Sequence, residues 1–214
     1  MARRTKEDAE VTRNRLLDAA LEVFYAKGVG GASLSDVAQA ASLTRGAIYW
    51  HFKDKSDLFD AMMQRATLPF EQAWSSEQMR AEKAGCALQG ILGVLQMVLR
   101  SISSDEATRR AFDIAIYKVE CVGEMLAVRE RRLLGIEKFT LQMEAELLLA
   151  AKQAGVQLPV AAISAARCMH AIFDGVLHAW LLHGAMPFDL ESEGMAAVQV
   201  YLRGLGLSAE KEIA

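Results

Sequence analysis

Aromatic and cationic side chains sit beside very small ones in residues 44–55, Thr-Arg-Gly-Ala-Ile-Tyr-Trp-His-Phe-Lys-Asp-Lys. On a helix with about 100° per residue, Ile48 and Phe52 share one face and can enter a core. The Tyr-Trp-His run at 49–51 covers more than half of the circumference, so a short helix must expose some of these rings. Exposed rings beside cations, with Gly and Ala at 46–47 allowing close approach, suit a grooved polyanion.

The residues before this segment predict the elements that position it. A helix is expected over 10–27, ended by glycines from Gly28 onward. Its apolar face has the i, i+3, i+4, i+7 spacing and comprises Leu17, Ala20, Leu21 and Phe24. Ser33 precedes Asp36 by three residues, which is typical of a helix start. The next short helix has an apolar face of Leu34, Val37, Ala38 and Ala41.

A tight turn at 42–43 then leads to Thr44, a favourable N-cap for the next helix. Two short helices joined by such a turn form the helix-turn-helix unit, whose second helix enters the DNA major groove. An ordinary surface helix is the plain alternative, and the three crowded rings argue against it.

These residues resemble the TetR-type bacterial repressors, within them the AcrR and TtgR branch that controls multidrug efflux pumps. The resemblance is strong over the first 65 residues or so and continues as a pattern. The residues that carry it are 1–6, Thr12-Arg13, 44–58, the Lys-Val-Glu-Cys run at 118–121 with Gly-Glu-Met at 123–125, and Phe173-Asp174-Gly175 with Trp180.

The resemblance implies an all-α fold of about nine helices with two domains. An N-terminal arm and a three-helix helix-turn-helix DNA-binding domain would occupy 1–55, and a helical ligand-binding and dimerisation domain 56–214. A homodimer through the last two helices is implied as well. After residue 55, helices are predicted over about 56–80, 84–102, 106–118, 123–154, 160–183 and 189–206.

The partner implied for the first domain is double-stranded operator DNA. The family pattern assigns phosphate contacts to Ser33, Thr44, Tyr49, His51 and Lys55. Arg45 is expected to read a guanine, because its planar fork matches O6 and N7. Three cations in a flexible N-terminal arm would add salt-sensitive contacts with the DNA phosphate backbone: Arg3, Arg4 and Lys6. Ala47 is expected near a thymine methyl, and the remaining residues predicted at the DNA are Gly46 and Trp50.

The partner implied for the second domain is a small hydrophobic or cationic drug-like effector. The residues that fall where related repressors contact ligands are Met97, Phe112, Ile116, Tyr117, Met169, Phe173, Asp174 and His178. Asp174 and His178 are i, i+4 neighbours and can meet a ligand together. The ten methionines suit an adaptable site. Ordinary core packing is the alternative for each residue, since cavities and cores use the same residue types.

Composition agrees with a DNA-binding module joined to a larger helical part. The chain has 214 residues, is 52% hydrophobic, holds three prolines and has a net charge of −3. Residues 1–65 carry ten Lys or Arg against nine Asp or Glu, so the positive character is local. No signal peptide and no membrane span are predicted. With three scattered cysteines, a cytoplasmic protein without disulfides or cofactor is expected.

Four other hypotheses stay open at this point. A metal site at His170, Asp174 and His178 is disfavoured, because the two histidines would be ~12 Å apart along the helix. A redox or metal sensor of the same fold would respond to thiol oxidation or chelation. A helical enzyme is disfavoured by the lack of nucleophile, P-loop and dinucleotide motifs. A DNA-bridging protein would show little sequence preference.

Overall fold

The structure is a computed structural model that describes residues 2–84, 87–120, 122–182 and 188–208, with side chains over 6–76, 87–120, 122–123, 125–182 and 188–208. These residues form nine α-helices and one 3-10 turn without any strand, which confirms the all-α prediction. The helices are α1 Ala2–Gly31, α2 Leu34–Ala40, α3 Arg45–His51, α4 Lys55–Ala84, α5 Ala87–Ser104, α6 Glu106–Tyr117, α7 Leu126–Ala154, α8 Ala162–Leu182 and α9 Leu190–Gly204, with the 3-10 turn at Gly123–Met125.

Helix α1 differs from its prediction at both ends. It begins at Ala2, so the backbone of the expected flexible arm is helical, and that prediction was wrong. The arm is polar and lacks an apolar stripe, although most of its residue types tolerate a helix. At the other end Gly28 breaks the helix as predicted, with φ 70° and ψ 161°, and one further turn runs to Gly31.

The later helices lie within about four residues of their predicted bounds. Gly155 follows α7 with φ 69°, in the left-handed region that glycine adopts without strain, and it is the predicted C-cap. The helix expected from 160 begins at Ala162, two residues later than its proline signal indicated.

The helices pack into two compact units. Unit 1 comprises residues 1–67 and 106–132, and unit 2 comprises 68–105 and 133–214. Helices α4 and α7 contribute residues to both units. The predicted division at residue 55 is a division by function, and it stays a prediction; packing alone groups the first turns of α4 and all of α6 with the helix-turn-helix.

Unit 1 is built around the apolar faces that the sequence periodicity predicts. The predicted face of α1 is buried, and Phe24 lies 6.4 Å from the Phe59 ring of α4 between centroids. Helix α6 adds Ala111 and Ile114 to the same core. The large side chains of this core with 2% exposure or less are Leu16, Leu17, Phe24, Ile48, Phe52, Leu58, Met62 and Ile114. The core therefore fixes α3 by its inward face alone.

In unit 2, α9 packs against both α5 and α8. Gly194 of α9 lies so close to α5 that a Cβ there would be 2.6 Å from Leu99 Cδ1. Helix α5 is long and apolar enough to cross a membrane by length and composition alone. Its buried residues lie within the unit, as in a core helix, and include Ile91, Val94, Leu95, Leu99 and Ile102.

Glu191 joins α9 to α5 through charged hydrogen bonds. Arg100 donates to it from Nε at 2.9 Å and from Nη2 at 2.6 Å, and Gln96 Nε2 donates at 2.7 Å. The hydrogen bonds from Arg100 and Gln96 lower the pKa of Glu191 to about 2 from an ordinary value of 4.5. The ionised carboxylate is thus the form that the folded state favours.

We therefore expect Glu191→Gln to reduce the free energy of unfolding in a pH-dependent way. A depressed folded-state pKa stabilises the fold above pH 4.5, and this contribution is lost as the pH falls toward about 2. Chemical unfolding of wild type and variant across this window measures the difference. In an Arg100→Met background the same substitution should have a smaller effect. A difference that stays constant with pH would contradict the assignment.

Candidate functional site

The two short helices α2 and α3 meet at a turn held by the backbone. Ser42 adopts φ 54°, and the next N–H, of Leu43, donates to Ala38 O at 2.9 Å. Arg15 of α1 donates from Nη2 to Ala41 O at 2.8 Å, at the C-terminal end of α2. The turn predicted at 42–43 is therefore present and is tied to α1.

Helix α3 has one buried and one exposed face, as its sequence predicts. Thr44 caps it, accepting a hydrogen bond on Oγ1 from Ala47 N at 3.2 Å. Ile48 is 0% exposed and Phe52, its C-cap, is 2% exposed. Trp50 is 72% exposed, the largest value among the bulky hydrophobic side chains of the described residues. The helix thus presents rings outward while two apolar side chains anchor it.

Arg45 stands at the first turn of that outward face. Its guanidinium Cζ lies 5.6 Å from the ring centroid of Tyr49, which is 48% exposed. Gly46 is exposed, and a Cβ there would meet only Thr44 Oγ1, at 3.9 Å. Because Arg45 lies over the Tyr49 ring and Gly46 has no side chain, the edge of a base can approach this part of the helix surface.

His51 lies on the flank of α3 between two rings. Its centroid is 4.5 Å from Trp50, edge to face, and 6.2 Å from Phe52. Burial, and then the charge of Arg13, lower the pKa of His51 below its ordinary 6.5. The imidazole is therefore neutral near pH 7 and has one N–H to donate to a phosphate.

Arg13 is a cation at this surface that was absent from the predicted site. Its Cζ lies 5.4 Å from the ring centroid of Phe52, which brings α1 against the end of α3. No spacing in the sequence connects the two, because the contact depends on how α1 packs.

Ser33 is engaged within its own helix cap. Its hydroxyl oxygen accepts from Asp36 N at 3.1 Å and its own backbone N–H donates to Asp36 Oδ2 at 2.8 Å, which together form a capping box. The Ser33 hydroxyl also donates to Asp36 Oδ2, at 2.6 Å. Hydrogen bonds from Lys27 and Ser33 hold the pKa of Asp36 well below its usual range. The predicted phosphate contact would require the Ser33 hydroxyl to leave this carboxylate.

The remaining cations predicted to contact DNA differ in how far the structure describes their side chains and contacts. Lys55 donates from Nζ to Ala32 O at 3.1 Å, and an ammonium has three donors in all. Lys6 is exposed on α1. Arg3 and Arg4 lie outside the described side chains.

The residues predicted to contact an effector fall in both packed units. Phe112, Ile116 and Tyr117 belong to unit 1, where the first two are half-buried and Tyr117 is 40% exposed. The other five belong to unit 2, where Met169 is completely buried and Met97, Phe173, Asp174 and His178 are half-buried.

The predicted i, i+4 pair on α8 is in contact. His178 Nε2 lies 3.5 Å from Asp174 Oδ2, and both side chains are about two-fifths exposed, at 38% and 41%. Within the described residues no three His, Cys, Asp or Glu side chains come together as a metal site would need.

Three rings from different helices of unit 2 form an aromatic row that the sequence did not reveal. Phe139 of α7 stands 5.4 Å from Trp74 of α4 and 5.5 Å from His170 of α8, between centroids and in edge-to-face geometry. Trp74 is buried and the other two are half-buried. The sequence signal was weak, since the rings are far apart along the chain.

Family models match both parts of the chain. Residues 16–62 match "Bacterial regulatory proteins, tetR family", and residues 87–207 match "MAATS-type transcriptional repressor, C-terminal region". The chain belongs to the TetR family. The resemblance to TetR-type repressors inferred from residues 44–58 is thereby confirmed.

The relatives of this TetR-family chain include repressors of multidrug efflux pumps. It is 35% identical over 204 residues to the HTH-type transcriptional regulator AcrR of Shigella flexneri, covering 94% of this chain and 93% of AcrR. The crystal structure of NalD, secondary repressor of the MexAB-OprM multidrug efflux pump in Pseudomonas aeruginosa, matches with TM-score 0.80 and 30% identity over 92% of this chain and 97% of NalD. The SmeT–triclosan complex also matches with TM-score 0.80 and 30% identity, over 91% of each chain.

This member of the TetR family is therefore a transcriptional repressor related to repressors of multidrug efflux operons. The relatives are transcriptional regulators and not enzymes.

Proposed function

We propose that the protein is a cytoplasmic, homodimeric repressor that binds a pseudo-palindromic operator, controls a multidrug efflux pump operon and is released by hydrophobic or aromatic drugs. The observation that carries the proposal is that α3 has one buried face and one exposed face. Ile48 and Phe52 are buried at 0% and 2% exposure, whereas Tyr49 and Trp50 are 48% and 72% exposed beside Arg45. These exposed side chains add nothing to the core of a monomer, whereas on a recognition helix they can contact the major groove of DNA.

Most of the residues on or beside the outward face have a defined role in this proposal, while Gly46 and Trp50 are proposed to lie at the DNA without an assigned contact. Arg45 reads a guanine edge, and Ala47 meets a thymine methyl. The Thr44 Oγ1 already accepts from Ala47 N, so its hydroxyl hydrogen can donate to a phosphate. Tyr49, His51 and Lys55 add phosphate contacts, and Arg13 joins them because it lies against the end of α3.

The dimer is proposed to form through α8 and α9. These helices pack together, and the outward face of α8 is a stripe of mostly small residues at spacings of three or four. The exposed members of the stripe are Ser164, Cys168, Ala171, Gly175, Ala179 and Leu182. Helix α9 exposes Ala196, Val200 and Gly204 at spacings of four. Small residues let two helices approach closely, and Val200 and Leu182, at 67% and 61% exposure, gain most from being covered.

The effector is proposed to bind in unit 2 beside the Asp174–His178 pair. A carboxylate and an imidazole 3.5 Å apart can orient a cationic or hydrogen-bonding drug. The row formed by Trp74, Phe139 and His170 offers ring edges to an aromatic one. The complex of the related SmeT with triclosan supports an aromatic effector class.

We expect Asp174→Ala to weaken the response to a cationic drug while operator affinity without drug is unchanged. The substitution removes the charge that would favour the drug-bound state, and a ligand shifts an equilibrium only by its differential affinity. Drug titrations of a preformed protein–operator complex measure the effect. Glu137→Ala, an exposed carboxylate on α7 of the same unit, is the matched control. An unchanged drug titration would remove Asp174 from the effector site.

Footprinting on the DNA that flanks the protein's own gene tests the operator proposal. Two protected half-sites on one face of the duplex, about one helical turn or a multiple apart, are expected from a two-fold dimer. Uniform protection without preferred sites would instead favour a DNA-bridging protein.

One observation favours redox sensing as a second candidate. Cys168 is exposed on the α8 stripe, at the face proposed for the dimer. Burial, and then the neighbouring Cys168 thiol, raise the pKa of Tyr201 to about 12, and the Tyr201 hydroxyl donates to Ala165 O at 3.1 Å. Loss of operator binding on mild oxidation, absent in Cys168→Ser, would support this candidate. The other two cysteines, Cys86 and Cys121, lie outside the residues whose side chains are described.

A further inference from the structure

Helix α1 is interrupted near its C-terminal end, at Gly28. In a regular helix the Val29 N–H would donate to the Tyr25 carbonyl, four residues earlier. Gly28, with φ 70° and ψ 161°, turns Val29 away from that partner. Val29 is 0% exposed, so its N–H needs another acceptor within the protein.

Lys118 provides a hydrogen-bond partner for each of the two groups separated by the break, the Val29 N–H and the Tyr25 carbonyl. Its carbonyl oxygen, just beyond the end of α6, accepts from Val29 N at 2.8 Å. Its ammonium donates from Nζ to Tyr25 O at 3.0 Å. The same Nζ lies 4.2 Å from the Tyr25 ring centroid and 3.6 Å from Asp113 Oδ2. One residue therefore supplies the acceptor and the donor that α1 has lost.

The glycine at this break is favoured by its backbone conformation and not by a lack of space. A Cβ on Gly28 would lie 3.5 Å from Lys118 O, in van der Waals contact. The space is sufficient, but φ 70° is a conformation that residues with a side chain rarely adopt. The backbone of α1 is thus shaped to receive Lys118.

The residues just after the break form the entry to the helix-turn-helix. Ala32, three residues after Val29, is 4% exposed, and its carbonyl accepts from Lys55 Nζ at 3.1 Å. Ser33 comes next and caps α2. The direction in which α1 ends therefore sets where α2 begins and, through the turn at Ser42, where α3 lies.

We propose that Lys118 is a positioning residue for operator binding, which bridges the Gly28 break and so holds the entry to α2 in place. This proposal rests on the operator-binding function proposed above. It also gives a role to Lys118, the first residue of the Lys-Val-Glu-Cys run, for which no DNA or effector contact is proposed. The residue acts through α1 and does not touch DNA.

The test compares Lys118→Met with wild type in three measurements: operator affinity, its salt dependence, and amide exchange over residues 25–31. Methionine keeps the aliphatic length over Tyr25 but removes the donor. Losing one hydrogen bond should lower operator affinity about fivefold for each protomer, which corresponds to about 1 kcal/mol. The slope of log affinity against log salt should equal that of wild type, because no phosphate contact is lost. Exchange over 25–31 should become faster.

Three further variants separate this role from charge and from folding. Lys118→Arg retains a donor and should restore most of the affinity. Lys138→Met removes a lysine charge from unit 2, paired with Glu71 at 3.2 Å, and should change little. Gly28→Ala disturbs the bridge from the α1 side without a charge change and should mimic Lys118→Met, which keeps the proposal testable if that variant does not fold.

Several results would overturn the proposal. Unchanged operator affinity in folded Lys118→Met and Gly28→Ala is one. A salt slope reduced by about 0.9 for each protomer, the value for one phosphate, would make Lys118 a direct DNA contact. Unchanged amide exchange would show that the bridge does not hold α1. If wild type selects no operator, the proposed function fails by itself, and exchange in the free protein still decides whether Lys118 bridges the break.

Discussion

Replacing Gly175 by arginine is expected to make the protein monomeric and to lower its affinity for a two-half-site operator by ~10²–10⁴-fold. Gly175 is exposed in the middle of the small-residue stripe of α8, with nothing within 4 Å of a Cβ built there. An arginine fits the isolated chain but not two α8 faces in close contact. A monomer binds each half-site separately and loses the effective concentration that a dimer gives to the second contact.

Gly135→Arg is the matched control for that substitution. Gly135 is also exposed and helical, on α7, with nothing within 4 Å of a Cβ. Sedimentation velocity reports the oligomeric state of both variants, and anisotropy titration reports operator affinity. The proposal requires that only Gly175→Arg loses the dimer. A Gly175→Arg variant that remains dimeric and binds normally would move the interface away from α8.

Arg45→Ala is expected to lower the preference for operator over random DNA by ~1–3 kcal/mol. Arg45 lies over the Tyr49 ring, 5.6 Å from its centroid, at the start of the exposed face of α3. A guanidinium held there can donate two parallel hydrogen bonds to a guanine, and no neighbouring side chain of α3 offers the same fork. Alanine would leave the fold intact, because Arg45 is exposed.

Lys55→Ala provides the contrast. A phosphate contact carries no sequence information, so its loss should weaken operator and random DNA alike. Competition titrations with both DNAs at one salt concentration measure the two preferences. Equal losses on operator and random DNA for Arg45→Ala would refute its role in base reading.

Helix α3, the helix proposed to read DNA, could be predicted from sequence because its determinants are local. Thr44 caps the helix by accepting a hydrogen bond from the backbone N–H three residues later, and Ile48 and Phe52 are spaced to share a face. Burial of those two and exposure of Trp50 follow from helical geometry alone. The ends of the later helices were predictable for the same reason, since glycine and proline signals act within a few residues.

The contacts that sequence reasoning missed join residues distant along the chain. Lys118 meets Val29 and Tyr25 about ninety residues away, and the row of Trp74, Phe139 and His170 draws on three helices. Such contacts depend on how helices pack, which periodicity does not specify. The phosphate contact expected of Ser33 from the family pattern stays a prediction, and in this structure the Ser33 hydroxyl donates to Asp36.

The most direct test of the proposed function is a fluorescence-anisotropy titration of the wild-type protein. The DNA just upstream of its own gene is compared with scrambled DNA of equal length, at a fixed moderate salt concentration, with and without a panel of cationic and aromatic drugs. A drug-responsive repressor should bind the upstream DNA alone and tightly, and at least one drug should reverse the binding. Equal binding to both DNAs would contradict the operator model, and selective binding that no drug reverses would contradict the proposed effector class.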